Sequence, residues 1–325
     1  MKLLVIQTAF LGDVILATSL LEKIHSAFPD AWIDFLLKKG NEGVLEGHPF
    51  VRELLLLDKK SKWKSLLNVS SRVSENQYDL VINVNRFGSS GYITWRSGAK
   101  EKTGFDKNPF SFCYTKKMKH EIGNGKHEIE RNNALIAHFT DPVPAKPKLY
   151  FSEKHSEKVR SLLAGSSGYV SMAPASVWFT KQFPKEKWVE LIRSQKPSLP
   201  ICLIGAESDF DLCEEIRKGS VDHHPGIQNL AGKLSILETA ALMKGATMNY
   251  VNDSAPLHIA SAVNAPVTAF FCSTVTAFGF GPLSDRAIIA ETKETLTCRP
   301  CGLHGHKACP EGHFKCAHSI QVHGL

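Results

Sequence analysis

The sequence predicts an α/β protein made of two doubly wound domains that face each other across a cleft. Three observations favour this fold class. Apolar strand-like runs alternate with amphipathic helices, the alternation occurs on both sides of the proline-rich segment Asp141–Pro147, and 325 residues suit two domains of ordinary size. We therefore expect one domain at residues 1–145, a second at residues 146–297 and a Cys/His-rich tail at residues 298–325.

In the first domain, continuous apolar runs predict strands and apolar residues at helical spacing predict helices. Lys2–Gln7 is the clearest strand, because an unbroken apolar run is typical of a strand buried on both faces. The predicted elements are strand 2–7, helix 14–28, strand 31–37, helix 40–45, strand 53–57, helix 62–73, strand 80–84 and helix 128–139. The pattern is weak between residues 98 and 149, where loops surround that last helix.

In the second domain the same alternation resumes after the proline-rich segment. The predicted elements are helix 153–163, strand 169–173, helix 185–195, strand 201–204, helix 209–218, a polar link at 228–232, helix 235–244, strand 248–251, a helix that contains Pro256 in its first turn, and strand 267–271. Because parallel strands end at one edge of a sheet, the loops that follow them are where a ligand is expected.

The composition indicates a soluble globular protein, with 43% hydrophobic and 22% charged residues. No apolar run approaches the roughly 20 residues that span a bilayer. Asp13 and Glu22 interrupt the apolar part of the first helix, so we predict no signal peptide and a cytoplasmic location. The formal charge of +7 favours an anionic partner such as a phosphorylated metabolite or a membrane face. We expect no nucleic acid, because the basic residues lack interleaved aromatic residues.

One stretch, Ala246–Pro266, has the clearest features of a binding site. A strand leads through a polar turn into a helix, which Asp253 or Ser254 can cap and in which Pro256 occupies the first turn. The start of a helix presents backbone N–H groups and a positive dipole end, so this turn suits a phosphate group. The alternative is an ordinary capped helix without a ligand.

Two more loops in the second domain carry polar residues at strand ends. Ser176, Thr180 and Lys181 could bind a diphosphate through charge-assisted hydrogen bonds, although a solvated lysine is a common alternative. Glu207 or Asp209 could accept hydrogen bonds from ribose hydroxyls, unless the acidic residue only caps the next helix. The three loops together predict a pocket for a nucleoside diphosphate.

The first domain has one candidate for acid–base chemistry. Gly12 permits a close approach of a ligand, and Asp13 stands at the start of a helix where its carboxylate could take a proton from an attacking hydroxyl. The alternative is that Asp13 is only an acidic residue stabilised by the helix dipole.

Three segments together resemble the ADP-heptose:lipopolysaccharide heptosyltransferases, family nine of the glycosyltransferases: Gln7–Leu21, Lys181–Trp188 and Asn252–Ala260. The resemblance runs in order from residue 1 to about residue 316. It implies a GT-B fold of two Rossmann-like domains, a nucleotide-diphosphate sugar donor, inverting transfer without a metal required for catalysis, and work at the inner membrane face.

The resemblance also implies roles for single residues. Asp13 corresponds to the catalytic base and Gly12 lies at the acceptor; the donor-binding residues are Ser176, Thr180, Lys181, Glu207, Asp209, Asp253, Ser254, Ala255 and His258. Because a carboxylate repels a diphosphate, we expect Asp253 to orient its loop by accepting N–H groups. Ala255–Pro256 stands where the family usually has glycine, and this departure leaves the donor open. A transferase that uses another nucleotide sugar for a different surface glycan, and a non-catalytic nucleotide-sugar-binding protein, are the alternatives.

The tail contains four cysteines in a C-x2-C-x7-C-x6-C pattern: Cys298, Cys301, Cys309 and Cys316. Four thiolates could bind a structural zinc ion tetrahedrally. Free thiols or disulfides are the alternative, because a second CxxC pair is missing.

Basic stretches at residues 59–64, 96–107 and 116–126 suit an anionic glycolipid acceptor, or else form a solvated surface. The expected partners are ADP-heptose or another nucleotide sugar, a lipid-linked core oligosaccharide and the inner membrane as a peripheral contact.

Overall fold

The computed structural model describes residues 1–163, 168–195, 199–322 and 324. The chain divides into two compact units, Met1–Tyr150 and Phe151–Leu325, where the sequence predicted a boundary between residues 145 and 146. Residues 164–167 and 196–198 of the predicted second domain, and residues 323 and 325 of the predicted tail, lie outside the described residues.

The first unit is built on a parallel sheet with the strand order β3-β2-β1-β4-β5-β6. Its strands are β1 (Lys2–Gln7), β2 (Trp32–Lys38), β3 (Val51–Leu57), β4 (Leu80–Asn83), β5 (Glu101–Phe105) and β6 (Lys116–Met118). The central strands β1 and β4 are the most completely buried: five of the six residues of β1 and all four of β4 are buried. This order is that of the doubly wound dinucleotide-binding fold.

Four α-helices cover this sheet: α1 (Leu11–Ala27), α2 (Lys62–Glu75), α3 (Gly88–Arg96) and α4 (Glu128–Ala134). Crossovers between parallel strands are right-handed, so the face that a helix covers depends on the direction of its crossover. The connection through α1 runs from β1 to β2, towards one edge of the sheet, and the connections through α2 and α3 run towards the other edge. Helix α1 therefore covers one face, and α2 and α3 cover the other. Leu66 and Val69 of α2 and Ile93 of α3 pack in one apolar cluster against Leu4 and Val81 of the sheet.

The second unit repeats this topology, with the order β12-β11-β10-β7-β8-β9. Its strands are β7 (Val170–Ala173), β8 (Ile201–Leu203), β9 (Ile227–Asn229), β10 (Met248–Asn252), β11 (Val267–Phe271) and β12 (Ala287–Glu291). Its helices are α5 (Glu153–Leu162), α6 (Lys185–Ser194), α7 (Phe210–Lys218), α8 (Ile236–Gly245), α9 (Ala255–Ala262) and α10 (Lys315–His318). Counted from β7, the strand order is again 3-2-1-4-5-6, which confirms the predicted fold class of two doubly wound α/β domains.

Aromatic side chains hold the loop after β7 on the second sheet. The ring of Phe183 stacks on that of Phe270 with centroids 4.1 Å apart, and Trp188 meets both edge-on. Phe314, Cys316 and other tail residues belong to the same apolar core. The predicted tail is therefore packed into the second unit.

Several elements differ from the sequence-based expectations. The structure adds α3 and the strands β5, β6, β9 and β12. Of these strands, β5, β6 and β9 lack an apolar run, whereas β12 contains the short run Ala287–Ala290. The helix predicted at residues 40–45 is only a 3-10 turn, Glu42–Val44, between Gly40 and Gly47, which both have positive φ. The polar link at 228–232 begins inside β9.

Across the described ranges, every helix is too short or too polar to cross a bilayer.

Candidate functional site

Each sheet has a point where the strand order reverses, between β1 and β4 in the first unit and between β7 and β10 in the second. Ligands of doubly wound folds bind beyond the carboxyl ends of the strands at such points. In the second unit this position is formed by the loop that follows β7 and the turn that follows β10. These two segments contain Lys181 and Asp253, which the sequence predicted to lie in one pocket.

Asn252 joins the two segments. Its side chain is fully buried, its Oδ1 accepts a hydrogen bond from the backbone N–H of Phe183 at 2.9 Å, and its Nδ2 donates to the carbonyl of Pro174 at 2.8 Å. Because both ends of the amide are used, the loop after β7 is held against the end of β10. This fixes the position of the short 3-10 turn Phe179–Lys181.

Lys181 and Asp253 form a largely buried ion pair in which Nζ lies 2.7 Å from Oδ2. The same oxygen accepts a hydrogen bond from the hydroxyl of Thr274 at 2.5 Å. We expected Asp253 to accept N–H groups of its own loop. In the described part of the chain its carboxylate instead contacts a hydroxyl and an ammonium group, which orient it from two other loops.

The turn after β10 leads directly into α9. Ser254 is the N-cap residue, but its side chain makes no capping hydrogen bond, and Ala255 and Pro256 open the helix. Asp253 does not cap the helix either, since its carboxylate is engaged by Lys181 and Thr274. The positive end of the helix dipole therefore lies next to the Lys181–Asp253 pair.

His258 lies one turn into α9 and is buried. Its ring packs edge-on against Phe280, with centroids 6.4 Å apart.

Thr180 and Ser176, the two predicted hydroxyl ligands, have different surroundings. Thr180 is 1% exposed, and its Oγ1 accepts hydrogen bonds from the backbone N–H of His306 at 2.7 Å and from the Ser273 hydroxyl at 3.1 Å. Ser176 is partly exposed, and its carbonyl accepts a hydrogen bond from Gln182 at 2.6 Å. Of the two hydroxyls, that of Ser176 is the more accessible to a ligand.

Glu207 and Asp209 both follow β8, but their carboxylates have different surroundings. The Oδ2 of Asp209 accepts the backbone N–H of Ala206 at 2.8 Å, at the start of the turn that leads into α7. Glu207 is exposed, and its Cα lies within 2.9 Å of the position that a Cβ on Gly232 would occupy. Asp209 therefore has a structural partner, whereas Glu207 presents its carboxylate to solvent.

Asp13 lies in the first turn of α1, beyond the carboxyl end of β1. Its Oδ2 accepts the backbone N–H of Phe10, the N-cap residue, at 3.2 Å. Gly12 precedes it in the same turn and is partly exposed. This contact stabilises the start of the helix, which is the structural role considered for Asp13 as the alternative to catalysis.

Asn85 supports this strand end much as Asn252 does in the other unit. Its Oδ1 accepts hydrogen bonds from the backbone N–H of Thr8 at 2.5 Å and from the Thr8 hydroxyl at 2.9 Å, and its Nδ2 donates to Gln7. All three residues are buried. The segment that leads to Asp13 is therefore fixed by a side chain that follows β4.

All eight cysteines lie in described parts of the chain and are free thiols. The tail thiols are close enough to influence one another: burial raises the pKa of Cys301, and the neighbouring Cys309 and Cys298 raise it further. Burial, followed by Cys309, raises the pKa of Cys316 to about 11. Among the described residues, however, no three His, Cys, Asp or Glu side chains are placed to hold a metal ion. Zinc therefore stays a prediction from the cysteine spacing.

Sequence reasoning gave no structural role to three residues that shape the site. Asn252 hydrogen-bonds to the loop after β7, and Thr274 hydrogen-bonds to Asp253. The guanidinium of Arg299 donates to the carbonyls of Phe271, Cys272 and Thr274. Their partners lie up to about 80 residues away in the sequence, so no local pattern predicts the contacts.

Comparison with known proteins relates this geometry to one family. A family model described as glycosyltransferase family 9 (heptosyltransferase) matches residues 66–311. Lipopolysaccharide heptosyltransferase 1 of Pseudomonas aeruginosa is 25% identical over 297 residues, which cover 86% of this chain and 80% of that protein.

Two solved structures share the fold. The ADP-heptose lipopolysaccharide heptosyltransferase II of E. coli superposes with a TM-score of 0.79 at 20% identity, covering 97% of both chains. The E. coli heptosyltransferase WaaC, solved with ADP-2-deoxy-2-fluoro heptose, has a TM-score of 0.69 at 20% identity and covers 90% of this chain and 93% of its own. These matches confirm the GT-B fold.

Proposed function

Because the chain belongs to glycosyltransferase family 9, the heptosyltransferase family, we propose that it transfers a heptose from ADP-heptose to a hydroxyl of a lipopolysaccharide core acceptor. The observation that carries the proposal is the Lys181–Asp253 pair at the start of α9. The relatives support the choice of substrates, since one is named a lipopolysaccharide heptosyltransferase and another was solved with an ADP-heptose analogue.

Lys181 and the start of α9 bind the donor diphosphate in this proposal. An ammonium group and a helix N-terminus are both complementary to a leaving group that gains negative charge as the glycosidic bond breaks. Ser176 adds a hydroxyl, and the backbone N–H groups of Ser254 and Ala255 face the phosphates. Asp253 does not touch phosphate; it holds Lys181 in place while the site is empty. His258 supports the helix from behind through its packing on Phe280.

The ribose is held by Glu207. Asp209 already accepts the backbone N–H of Ala206. The exposed carboxylate of Glu207 has the position, just past a strand end, from which acidic residues of doubly wound folds bind ribose hydroxyls.

Asp13 is the general base. It accepts the proton of the acceptor hydroxyl as that oxygen forms a bond to the anomeric carbon of the heptose, on the face opposite the diphosphate. The bond between the anomeric carbon and the diphosphate oxygen breaks, and its electron pair leaves with ADP. Attack from the opposite face inverts the anomeric configuration. Gly12 leaves room for the acceptor beside the carboxylate.

No metal is required for these steps, because Lys181 and the dipole of α9 supply the positive charge at the diphosphate. Zinc in the tail would have a structural role only. Metal analysis of the purified protein tests it: one zinc per chain would support zinc, whereas no zinc together with eight titratable thiols would show a metal-free tail.

The acceptor side of the proposal includes a peripheral contact with an anionic membrane. Trp63 and Leu67 lie one turn apart on α2 and are 71% and 58% exposed, and the neighbouring Lys59, Lys60 and Lys64 are cationic. An exposed tryptophan among lysines is typical of a surface that meets lipid head groups. Co-sedimentation with phosphatidylglycerol vesicles should fall in a Trp63→Ser/Leu67→Ser variant, and unchanged sedimentation would reject this surface.

Calorimetric titration with ADP, ADP-heptose and a panel of UDP- and GDP-sugars tests the donor. Selective binding of the ADP compounds would support the proposal. Selective binding of another nucleotide would retain the mechanism and change the donor. Transfer is then measured by the release of ADP in the presence of a deacylated core acceptor, and no release with a donor that binds would contradict the proposed acceptor.

A further inference from the structure

The tail segment, defined here as residues 298–316, lies against the loops that carry Lys181 and Asp253. The guanidinium of Arg299 donates to the carbonyls of Cys272 and Thr274 at 2.8 and 2.9 Å. The backbone N–H of Cys301 donates to the carbonyl of Ser273 at 2.8 Å. The loop after β11 is therefore held by the tail segment, and the Thr274 hydroxyl of this loop binds Asp253.

The same segment holds the turn that carries Lys181. Two hydrogen bonds join Thr180 to His306: the Thr180 N–H donates to the His306 carbonyl at 3.1 Å, and the His306 N–H donates to the Thr180 hydroxyl at 2.7 Å. Next to this pair, the ring of Phe179 packs on that of Phe314 at 5.2 Å. Two of the three residues of the turn Phe179–Lys181 thus contact the tail directly.

Gly305 marks how closely the tail approaches Lys181. It has φ of +77°, and a Cβ built on it would lie 2.8 Å from the Thr180 Oγ1, 3.1 Å from the Lys181 Cγ and 3.3 Å from the Ser273 Oγ. A methyl group at this position cannot fit unless the turn moves. The backbone of the tail is therefore in contact with the aliphatic stem of Lys181.

From these contacts we infer that the tail segment is part of the donor-phosphate site, and that the Gly305–His306 backbone positions the ammonium group of Lys181. The inference rests on the proposed binding of donor phosphates by Lys181. The tail holds both members of the ion pair: Lys181 through Thr180, and Asp253 through Arg299 and Thr274. Gly305 and Thr180 are positioning residues, because they act on the donor through Lys181.

The tail supplies a matched pair of variants. Gly305→Ala introduces the Cβ that meets Thr180 and Lys181. Gly312→Ala introduces the same group in the same segment, at a φ of +71°, where a Cβ would have no atom within 4 Å. Both changes place alanine in a left-handed conformation and carry a similar backbone strain. They differ in contact with the turn that carries Lys181.

We expect Gly305→Ala to weaken ADP binding about tenfold or more relative to Gly312→Ala, which corresponds to the partial loss of a charge-assisted hydrogen bond. The donor KM should rise while the acceptor KM stays equal in the two variants. Equal ADP affinity of the two variants would overturn the inference. If Gly305→Ala melts well below Gly312→Ala, Thr180→Val takes its place, because it removes the hydroxyl that accepts from His306 and keeps the side-chain shape.

Chemical labelling of Lys181 separates this inference from the proposed donor. If the wild-type protein does not bind ADP, the donor proposal fails. The position of the Lys181 ammonium group is then tested by the rate at which an N-hydroxysuccinimide ester acetylates Lys181, measured by mass spectrometry of the peptide. A rate that changes in Gly305→Ala and not in Gly312→Ala would support the positioning role. The same rate in both variants would overturn it.

Discussion

The ammonium nitrogen of Lys181 lies 2.7 Å from the Oδ2 of Asp253, and the two side chains are only 15% and 6% exposed. A cation in this position is compensated before any ligand arrives, so it does not remain as an uncompensated buried charge. Because a diphosphate carries more than one negative charge, it can recruit the same ammonium group without removing Asp253 from its hydrogen bond with Thr274. The pair therefore keeps Lys181, the residue proposed to bind the donor phosphates, ordered in the absence of a ligand.

Replacing Lys181 with alanine should lower both donor affinity and stability. The lost charge-assisted hydrogen bond is worth about 1.5–3 kcal/mol, so the Kd for ADP should rise roughly 10- to 100-fold. The carboxylate of Asp253 would also lose its buried cation, at a cost of about 3 kcal/mol. Titration calorimetry and thermal melting measure the two effects.

Lys185→Ala is the control for this variant. It removes the same charge four residues away, from the exposed pair that Lys185 forms with Glu215, and solvent screening leaves such exposed pairs with little effect on stability. Equal ADP affinities for Lys181→Ala and Lys185→Ala would exclude Lys181 from the donor site.

Asp13→Asn should lower turnover by about 10²- to 10⁴-fold, the usual contribution of a general base. An asparagine oxygen can still accept the backbone N–H of Phe10, which Asp13 accepts at 3.2 Å, so the start of α1 is retained. The melting temperature should change little, because an acidic residue at a helix N-terminus is worth only about 0.3–1 kcal/mol. Steady-state kinetics and ADP titration are compared: turnover within a few-fold of wild type would leave Asp13 with the structural role alone.

Glu207→Ala should remove discrimination between ADP and its 2′- and 3′-deoxy analogues, because this exposed carboxylate is the proposed acceptor for the ribose hydroxyls. Asp209→Ala is the matched variant two residues away. It removes the acceptor for the backbone N–H of Ala206 and should lower stability by about 1 kcal/mol without changing that discrimination. The reverse result, in which only the Asp209 variant loses discrimination, would assign the ribose to Asp209.

The central strands could be predicted from the sequence because burial on both faces leaves unbroken apolar runs, as in Leu3–Ile6 and Ala269–Phe271. Lys116–Met118 could not be predicted, because it lies at a sheet edge, is largely exposed and is mostly lysine. Ala287–Glu291 contains the apolar run Ala287–Ala290, but four of its five residues are exposed at the edge of the other sheet. The prediction therefore contained the central strands of each sheet and the edge strand β3, and it lacked β5, β6, β9 and β12.

The candidate site was predictable only where its residues follow a strand. Lys181, Glu207 and Asp253 stand there, and that position gave the reason to select them. The contacts between them depend on pairs far apart in sequence, such as Thr180 with His306, which are 126 residues apart. The spacing of the tail cysteines suggests a zinc site. It does not show that the tail backbone reaches the turn Phe179–Lys181.

His48 should make the stability of the protein sensitive to acid. It is 5% exposed, its ring lies edge-on to Tyr150 at 4.9 Å, and its Nδ1 accepts the backbone N–H of Phe50 at 3.3 Å. Its Nε2 has no hydrogen-bond partner among the described residues. Burial lowers the pKa of His48 from 6.5 to about 4.

Because this folded-state pKa lies below the unfolded value of 6.5, the unfolded chain takes up a proton first as the pH falls. The contribution of neutral His48 to the free energy of unfolding is complete above pH 6.5 and is lost as the pH falls from 6.5 to about 4. At about 1.4 kcal/mol for each pKa unit, the loss approaches about 3 kcal/mol. His48→Phe keeps an aromatic ring and removes the titration, so its free energy of unfolding should fall less steeply over this interval.

Chemical denaturation at half-unit pH steps measures the slopes, with His223→Phe as the control because that side chain is exposed. Burial also lowers the pKa of His120 to about 4, and this histidine contributes equally in all three proteins. Parallel curves for the wild type and His48→Phe would show that His48 is already accessible to protons in the folded chain.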